Sequence, residues 1–359
     1  VSSDWFSPDF LKQVSPAQVE QNITLLKEQF GDLKNTEVTE GKGFLQFEKA
    51  RVPVLIGFDG ASRINILWFG APWLENTSLE DLTGKLKNAA TGDISVFVTI
   101  NGKSVIDDKS QRAMAVGSAF KLVVLKAYED ALASGELRRE QVVTFEASDR
   151  SLPSGTLQVV STGTPLTLEM LAQLMVKISD NTATDTLIRI LGKERLEALS
   201  PGNVPFLKTR ELFQLIAPGA EATRTRYRAA GPQERRQILS DLKEQPLPRT
   251  DQTGRIATWQ NVEWYLTARE ICGLLRSVKE APALDSSSEP LFEGMNWKRI
   301  GYKGGSEYGV INLSAIGITP RGDEICVVVT ANGDASQPVD RIAPLFADLL
   351  RVAGTKNKK

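Results

Sequence analysis

The chain has 359 residues, with 43 Lys and Arg against 44 Asp and Glu, and it contains no histidine. The net charge of −1 argues against a nucleic-acid-binding surface or a polybasic membrane patch. No run approaches the roughly 20 apolar residues of a membrane span. Without an imidazole, the chain cannot use a Ser-His-Asp or Cys-His mechanism, and acid-base chemistry must use Lys, Tyr, Asp or Glu side chains with shifted pKa values.

The first 77 residues predict a small α+β domain. A single helical pattern covers residues 8–30 around Pro16. Strand-like runs separated by turn signals follow at Leu33 to Thr39, Gly43 to Glu48, Val52 to Phe58 and Ile64 to Phe69. A helix followed by an antiparallel meander is typical of domains of the cystatin or nuclear-transport-factor type. We find no catalytic constellation in residues 1–77.

A second domain is predicted over residues 78–359. Ser78 and Asp81 have the spacing of a helix cap, and Asn101-Gly102 between two β-prone runs predicts a hairpin. Two more strand-like runs and an amphipathic helix end the chain, and residues 112–280 are mostly helical. We therefore expect an α+β fold, in which strands from both ends form one antiparallel sheet flanked by helices, with an all-helical subdomain inserted between them.

Two features of the chain bear on its compartment. Cys272 and Cys326 are too few for a disulfide framework or a four-cysteine metal site, and both lie in apolar stretches, so we expect buried free thiols. The chain begins Val-Ser-Ser-Asp without a methionine. A removed signal peptide would explain this start, which predicts a periplasmic or extracellular protein, although a trimmed chain would begin the same way.

Ser118-Ala119-Phe120-Lys121 is predicted to begin a helix that ends near Gly135. Their spacing places the Ser118 hydroxyl and the Lys121 ammonium on one helix face, within reach of each other. Free N–H groups at a helix start favour negative charge that develops near Ser118. A desolvated Lys121 can act as a base, because burial lowers the pKa of an ammonium. Taken alone, the pattern equally fits a helix-capping serine and a surface lysine.

Two further motifs follow this one in the chain. Ser179-Asp180-Asn181 comes directly after a predicted helix, and Lys303-Gly304-Gly305-Ser306 lies at the start of a predicted strand. Together with Ser118-x-x-Lys121, they resemble the S-x-x-K, S-D-N and K-T-G motifs of the serine β-lactamase and penicillin-binding-protein superfamily. The resemblance is closest to the class A β-lactamases and covers about residues 79–359.

The resemblance implies four catalytic residues. Ser118 would be the acylated nucleophile, and Lys121 its base or proton relay. Ser179 would pass a proton to the departing nitrogen of the substrate. Lys303 would hold the Ser179 hydroxyl and attract an anionic substrate.

It also implies a binding surface for the acyl group. Asn181 would hydrogen-bond the amide on the acyl side of the substrate, and Gly305 would keep the strand edge open for close approach. The backbone N–H groups of Ser118 and Ser306 would form an oxyanion hole. None of these roles requires a metal ion or a cofactor.

Two departures from the family pattern stand out. Gly304 occupies a position where the family usually has Thr or Ser, so the hydroxyl expected to bind the substrate carboxylate is missing, and Ser306 or an arginine would have to substitute for it. The Glu-x-x-Leu-Asn loop, whose Glu activates the deacylating water in class A enzymes, is missing from the sequence. Glu211 lies at about the right distance, but its flanks read as an amphipathic helix, and we expect an ordinary exposed glutamate there.

The segment from Pro201 to Trp264 is rich in arginine. We expect a solvated helical face, and the alternative is a rim that collects anionic substrates. The residues concerned are Arg224, Arg226, Arg228, Arg235 and Arg236.

These patterns favour a serine hydrolase that acts on a small-molecule substrate through an acyl-enzyme on Ser118, with β-lactam hydrolysis as the leading hypothesis. An esterase or D-alanyl peptide hydrolase of the same superfamily is one alternative. Another is a sensor of β-lactams or peptidoglycan that is acylated without turnover. The order of the two domains also resembles proteins of the clavulanic-acid clusters, in which case the N-terminal domain would narrow substrate access.

Overall fold

A computed structural model describes residues 1–70, 72–250 and 262–355. The helical pattern predicted over residues 8–30 is in fact two helices, because Ser15 caps a new helix that has Pro16 at its first position. The elements of this N-terminal region are α1 (Pro8–Leu11), α2 (Pro16–Phe30), β1 (Leu33–Thr39), β2 (Lys42–Phe47), β3 (Ala50–Phe58), β4 (Ile64–Phe69) and β5 (Trp73–Leu74).

The N-terminal strands form one antiparallel sheet in the order β1-β2-β3-β4, with β5 paired to β3. A small apolar cluster holds α2 against this sheet, built from Phe30, Phe47, Ala50 and Val52. A helix and a four-stranded meander are thus present in the predicted order. The domain boundary after residue 77 stays a prediction.

The remaining strands include a second five-stranded antiparallel sheet in the order β12-β13-β14-β6-β7. Strands from both ends of the second region therefore join one sheet, as predicted. Asn101 and Gly102 both have positive φ, at 51° and 77°, as a two-residue hairpin turn between β6 and β7 requires. The strands are β6 (Asp93–Ile100), β7 (Lys103–Asp108), β8 (Met114–Ala115), β9 (Val142–Thr144), β10 (Pro165–Thr167), β11 (Tyr265–Leu266), β12 (Arg299–Glu307), β13 (Val310–Ile318) and β14 (Glu324–Asn332).

Ten helices of the described ranges accompany this sheet. Ser78 caps the first of them, and its side chain and that of Asp81 form the predicted capping box. The helices are α3 (Leu79–Ala89), α4 (Lys121–Ala133), α5 (Leu168–Lys177), α6 (Asn181–Leu191), α7 (Lys193–Leu199), α8 (Thr209–Leu215), α9 (Glu221–Ala229), α10 (Pro232–Leu242), α11 (Ala268–Ser277) and α12 (Val339–Thr355).

Helices cover both faces of the larger sheet. In β14, the side chains of Ile325 and Val327 belong to a core shared with α3 and α12. Cys326 and Val328 alternate with them and join the core of the helical block, which includes α4, α5 and α11. The edge strand β12 lies beside the helical block, and the motifs of Ser118, Ser179 and Lys303 meet there.

Cys272 of α11 and Cys326 of β14 form a disulfide, with their Cα atoms 6.2 Å apart. The prediction of two free thiols is therefore wrong. The two cysteines are 54 residues apart in the chain, and only the packing of α11 on the sheet brings them together. Over the described residues, we find no helix that is both long enough and apolar enough to span a membrane.

Candidate active site

Ser118 lies in a 3-10 turn, Gly117–Phe120, directly before α4. The helix itself begins at Lys121, so the predicted helix start is shifted by one turn. Aromatic stacking fixes this turn, because the Phe120 ring lies 3.7 Å from the Trp264 ring, centroid to centroid. The Val116 N–H also donates to the Trp264 carbonyl oxygen at 3.1 Å. The nucleophile candidate is thus held on a rigid support.

Lys121 is completely buried and points at the Ser179-Asp180-Asn181 motif. Its Nζ donates to the Ser179 carbonyl oxygen at 2.6 Å, to Ser179 Oγ at 3.0 Å and to Asn181 Oδ1 at 2.7 Å. These acceptors match the three N–H groups of an ammonium. Burial, together with the charge of Lys303, holds the pKa of Lys121 well below its usual range, although Asp185 and Asp180 oppose this shift. Lys121 therefore loses a proton more readily than an exposed lysine does.

The Ser179 hydroxyl lies between two lysine side chains. Lys303 Nζ donates to Ser179 Oγ at 3.1 Å from the side opposite Lys121. Ser179 has a positive φ of 55°, and Asp180 caps α6 by accepting the Ala183 N–H at 2.8 Å. Burial lowers the pKa of Lys303 to about 7. A proton can thus pass between Lys121, Ser179 and Lys303 over hydrogen-bond distances.

The edge strand β12 comes extremely close to the nucleophile turn at Gly305. A Cβ atom on Gly305 would lie 2.6 Å from the Ser118 nitrogen and 2.2 Å from the Val116 carbonyl oxygen, so no other residue fits. A Cβ atom on Gly117 would likewise lie 3.0 Å from the Ser306 nitrogen. Two backbone segments that carry the N–H groups of Ser118 and Ser306 therefore lie side by side.

Tyr302 supplies a hydroxyl where the motif lacks one. A Cβ atom on Gly304 would lie 2.4 Å from Tyr302 Oη, so the phenol occupies the space of the missing Thr or Ser side chain. Burial raises the pKa of Tyr302 to about 12, which keeps the hydroxyl protonated as a donor. Our sequence reasoning missed this residue. Its position two residues before Gly304, on the same strand face, was the available signal.

One cavity of about 650 Å³ brings the predicted site residues together. The described residues that line it include no arginine and no residue from 1–77. Ser306, one of the two predicted substitutes for the missing hydroxyl, lines the cavity. Narrowing of substrate access by the N-terminal domain stays a prediction. The motif residues in the cavity wall are Ser118, Ser179, Asn181, Lys303, Gly304, Gly305 and Ser306.

At about the distance from Ser179-Asp180-Asn181 at which class A sequences carry the Glu, this chain has the apolar residues Phe213 and Ile216. Both residues line the main cavity. Glu211 faces a different cavity of about 530 Å³, and its carboxylate accepts both from Lys193 Nζ at 2.7 Å and from the Lys208 N–H at 2.7 Å. The expectation of an exposed glutamate is wrong, because the Glu211 side chain is only 15% exposed. Its carboxylate stabilises the start of α8 and does not face Ser118.

Two carboxylates lie close to the nucleophile turn, and our sequence reasoning missed both. Glu307, directly after Ser306 in β12, lines the main cavity. Burial raises the pKa of Glu307 to about 7, and the Lys121 charge opposes the rise. Glu263 is buried, and its pKa is raised well above the usual range by burial and by the Glu307 charge. The only sequence signal for Glu307 was its place after Lys303-Gly304-Gly305-Ser306.

Four of the five arginines contact neighbouring backbone or carboxylates, namely Arg224, Arg226, Arg235 and Arg236. Arg224 is buried and donates to the Leu215 carbonyl oxygen at 3.1 Å, which corrects the expectation of a fully solvated face. Arg236 pairs with Glu197 across helices. None of the five arginines is among the described residues that line the cavity, so a substrate-collecting rim is unsupported.

Comparisons with solved structures show that known proteins share this fold. A beta-lactamase from Sphaerobacter thermophilus superposes with a TM-score of 0.54 at 21% identity, over 77% of this chain and 96% of that one. An ancestral class A beta-lactamase, GNCA, gives 0.51 at 18% identity, over 77% and 98% of the two chains. A mutant of PBP-A in an acyl-enzyme complex with penicillin G gives 0.50 at 15% identity, over 77% and 95%.

The chain was also compared with known protein sequences. Curated protein sequences gave no match. The model of a family described as the beta-lactamase enzyme family matches residues 78–292, which is more than half of the chain. The chain therefore belongs to the beta-lactamase enzyme family.

Proposed function

We propose that the protein is a serine hydrolase that opens β-lactams through an acyl-enzyme on Ser118. The observation that carries this proposal is the Ser179 hydroxyl held between two buried lysines, beside a nucleophile turn that contacts the edge of a sheet. This arrangement supplies both proton transfer and backbone N–H donors without histidine.

In this proposal, acylation uses the hydrogen-bonded network of Lys121, Ser179 and Lys303. Neutral Lys121 takes the proton of the Ser118 hydroxyl, directly or through a water molecule, while Ser118 Oγ attacks the lactam carbonyl carbon. The N–H groups of Ser118 and Ser306 stabilise the oxyanion. The Ser179 hydroxyl then protonates the ring nitrogen as the C–N bond breaks, and it recovers a proton from Lys121 or Lys303.

Anionic substrates suit the cavity. Lys303 supplies a positive charge, and the protonated Tyr302 hydroxyl supplies a donor above Gly304. Asn181 keeps one side-chain N–H for the acyl-side amide, because its other polar contacts are to Lys121 and to the Leu152 carbonyl oxygen at 3.1 Å. A β-lactam with a carboxylate and an acylamino side chain uses all of these groups.

A second candidate function is a sensor that is acylated without turnover. Two observations favour it. Phe213 and Ile216 are apolar and cannot activate water in the main cavity, and Glu211 lies in another cavity. The acyl-enzyme complex of the PBP-A mutant with penicillin G is a precedent for a stable adduct on this fold.

A chromogenic cephalosporin separates these functions. Steady turnover with a transient adduct supports hydrolysis, a stable adduct by intact mass supports a sensor, and cleavage of simple esters without a β-lactam adduct supports an esterase. Ser118→Ala abolishes all three activities. Ser240→Ala, in the remote Ser240-x-x-Lys243 copy of the motif, is the matched control and leaves them unchanged; activity that survives in Ser118→Ala contradicts the proposal.

We also propose that the protein is exported. Disulfides persist in oxidising compartments, so the Cys272–Cys326 pair supports this location. Expression of the full gene product and fractionation of the host cells test it. Recovery of the protein in the cytoplasm with reduced cysteines contradicts export.

A further inference from the structure

Glu307 lies on the catalytic face of β12. Side chains two residues apart share one face of a strand, so Lys303, Gly305 and Glu307 form one row. Lys303 in this row reaches Ser179 Oγ, and the missing side chain of Gly305 makes room for the Ser118 nitrogen. The row therefore faces the nucleophile turn, and Glu307 is its third member.

Among the described residues, the Glu307 carboxylate has no direct polar partner, although the charge of Lys121 acts on it. Across the described ranges, it has no salt bridge within 4.0 Å and no side-chain hydrogen bond, although the residue is partly buried and lines the cavity. Its described charged neighbours are Lys121 from α4 and Glu263 from the segment before β11. A partly buried carboxylate without a partner is costly, and such groups cluster at functional sites.

We propose that Glu307 is the general base that hydrolyses the acyl-enzyme. The inference rests on the proposed function, because it requires an ester on Ser118. In this proposal, a residue of β12 activates the deacylating water, whereas in class A enzymes a Glu on a separate loop does so.

Hydrolysis of the ester on Ser118 involves two proton transfers. A water oxygen attacks the ester carbonyl carbon, and one water proton moves to the Glu307 carboxylate as the tetrahedral oxyanion forms. The bond from the carbonyl carbon to Ser118 Oγ then breaks, and the proton passes from Glu307 to Ser118 Oγ. The products are a carboxylic acid and the free Ser118 hydroxyl, and Glu307 is again ionised.

The partial burial of Glu307 supports its role as the general base. A base with a pKa near neutrality matches the working pH of most hydrolases. Glu307 must be ionised to accept the proton, so deacylation slows as the pH falls through about 7.

Glu307→Gln tests the inference with a chromogenic cephalosporin and time-resolved intact mass. We expect acylation within about threefold of wild type, steady-state turnover at least about 100-fold lower, and an accumulated adduct on Ser118. Glu307→Asp restores part of the turnover, and the pH dependence of deacylation near 7 disappears in Glu307→Gln. Thermal unfolding of each variant shows whether it is folded, and Glu211→Gln is the matched control.

The outcomes separate the two proposals. A wild-type protein with neither adduct nor turnover overturns the proposed function, and this inference with it. A wild-type protein that turns over, with a Glu307→Gln variant that does so equally fast or with the same pH profile, overturns the inference alone. A wild-type adduct that never hydrolyses also overturns the inference, because Glu307 is then present and does not activate water.

Discussion

The two sides of the main cavity differ in how completely they follow the family pattern. On the side of the motifs, Lys121, Ser179 and Lys303 form a connected network of hydrogen bonds. In the rest of the described wall, Phe213 and Ile216 are apolar, and Glu211 is paired with Lys193 in another cavity. In the proposed mechanism, acylation therefore uses the motif residues, whereas deacylation must use a group outside the family pattern.

Removal of Lys121 has the largest effect that we expect on the motif side. Lys121→Met lowers the acylation rate of Ser118 by about 10³-fold, because general-base assistance in acylation is lost. Intact mass measured against time gives this rate. Lys126→Met, at a half-buried position of the same helix that pairs with Asp130, is the control and acylates normally. Equal acylation rates in both variants would contradict a role for Lys121 as the base.

The charge of Lys303 makes substrate affinity depend on pH. Burial lowers the pKa of Lys303 to about 7, so this side chain is positive below that pH and neutral above it. The KM of an anionic β-lactam should therefore rise above pH 7, by up to about tenfold per pH unit. A neutral ester measured in parallel should show a flat KM. The same rise for both substrates would mean that another group titrates.

The Tyr302 hydroxyl is expected to contribute to the binding of anionic substrates. Tyr302→Phe keeps the ring contacts with Phe292, whose centroid is 5.5 Å away, and removes only the donor above Gly304. We expect KM for anionic β-lactams to rise about tenfold, since a hydrogen bond to a charged group contributes about 1.5 kcal/mol. kcat should change little. A lower kcat at constant KM would show that the phenol acts in chemistry instead.

The motifs that contain Ser118, Ser179 and Lys303 could be read from the sequence more directly than the rest of the cavity wall. Ser118, Lys121, Ser179 and Lys303 could be found because each stands in a short local pattern, and the turn signal of Asn101-Gly102 and the cap at Ser78 act over a few residues as well. Alternating and helical periodicities were enough to predict the larger sheet and its flanking helices.

Features that depend on the packing of distant segments could not be predicted in the same way. The Cys272–Cys326 disulfide forms only because α11 packs on β14. The direction of the Glu211 side chain depends on Lys193, which lies in another helix. Glu307 follows a recognised motif, but only the folded arrangement shows that its carboxylate has no ion-pair partner among the described residues.

The carboxylate of Glu307 should also lower the stability of the fold at neutral pH. Burial raises its pKa from 4.5 to about 7, so the folded protein binds more protons than the unfolded chain between these values, and the free energy of unfolding falls as pH rises. Glu307→Gln removes this cost. At pH 8 we expect a gain of about 1 kcal/mol, discounted because Glu307 is partly exposed, and at pH 4 almost none. Thermal unfolding at both values measures it, and an equal gain at both would exclude titration of Glu307 as the cause.

The smallest effect concerns Glu211, and it decides which side of the cavity holds the deacylating base. Glu211→Gln removes an ion pair between largely buried side chains, which should cost up to about 1 kcal/mol of stability. Turnover of a chromogenic cephalosporin should change by less than about threefold, because the Glu211 carboxylate lies outside the main cavity. If Glu211→Gln instead accumulates the acyl-enzyme while Glu307→Gln turns over normally, the helical block must move to bring Glu211 to Ser118. The apolar wall of Phe213 and Ile216 would then describe a resting state rather than the state that hydrolyses the ester.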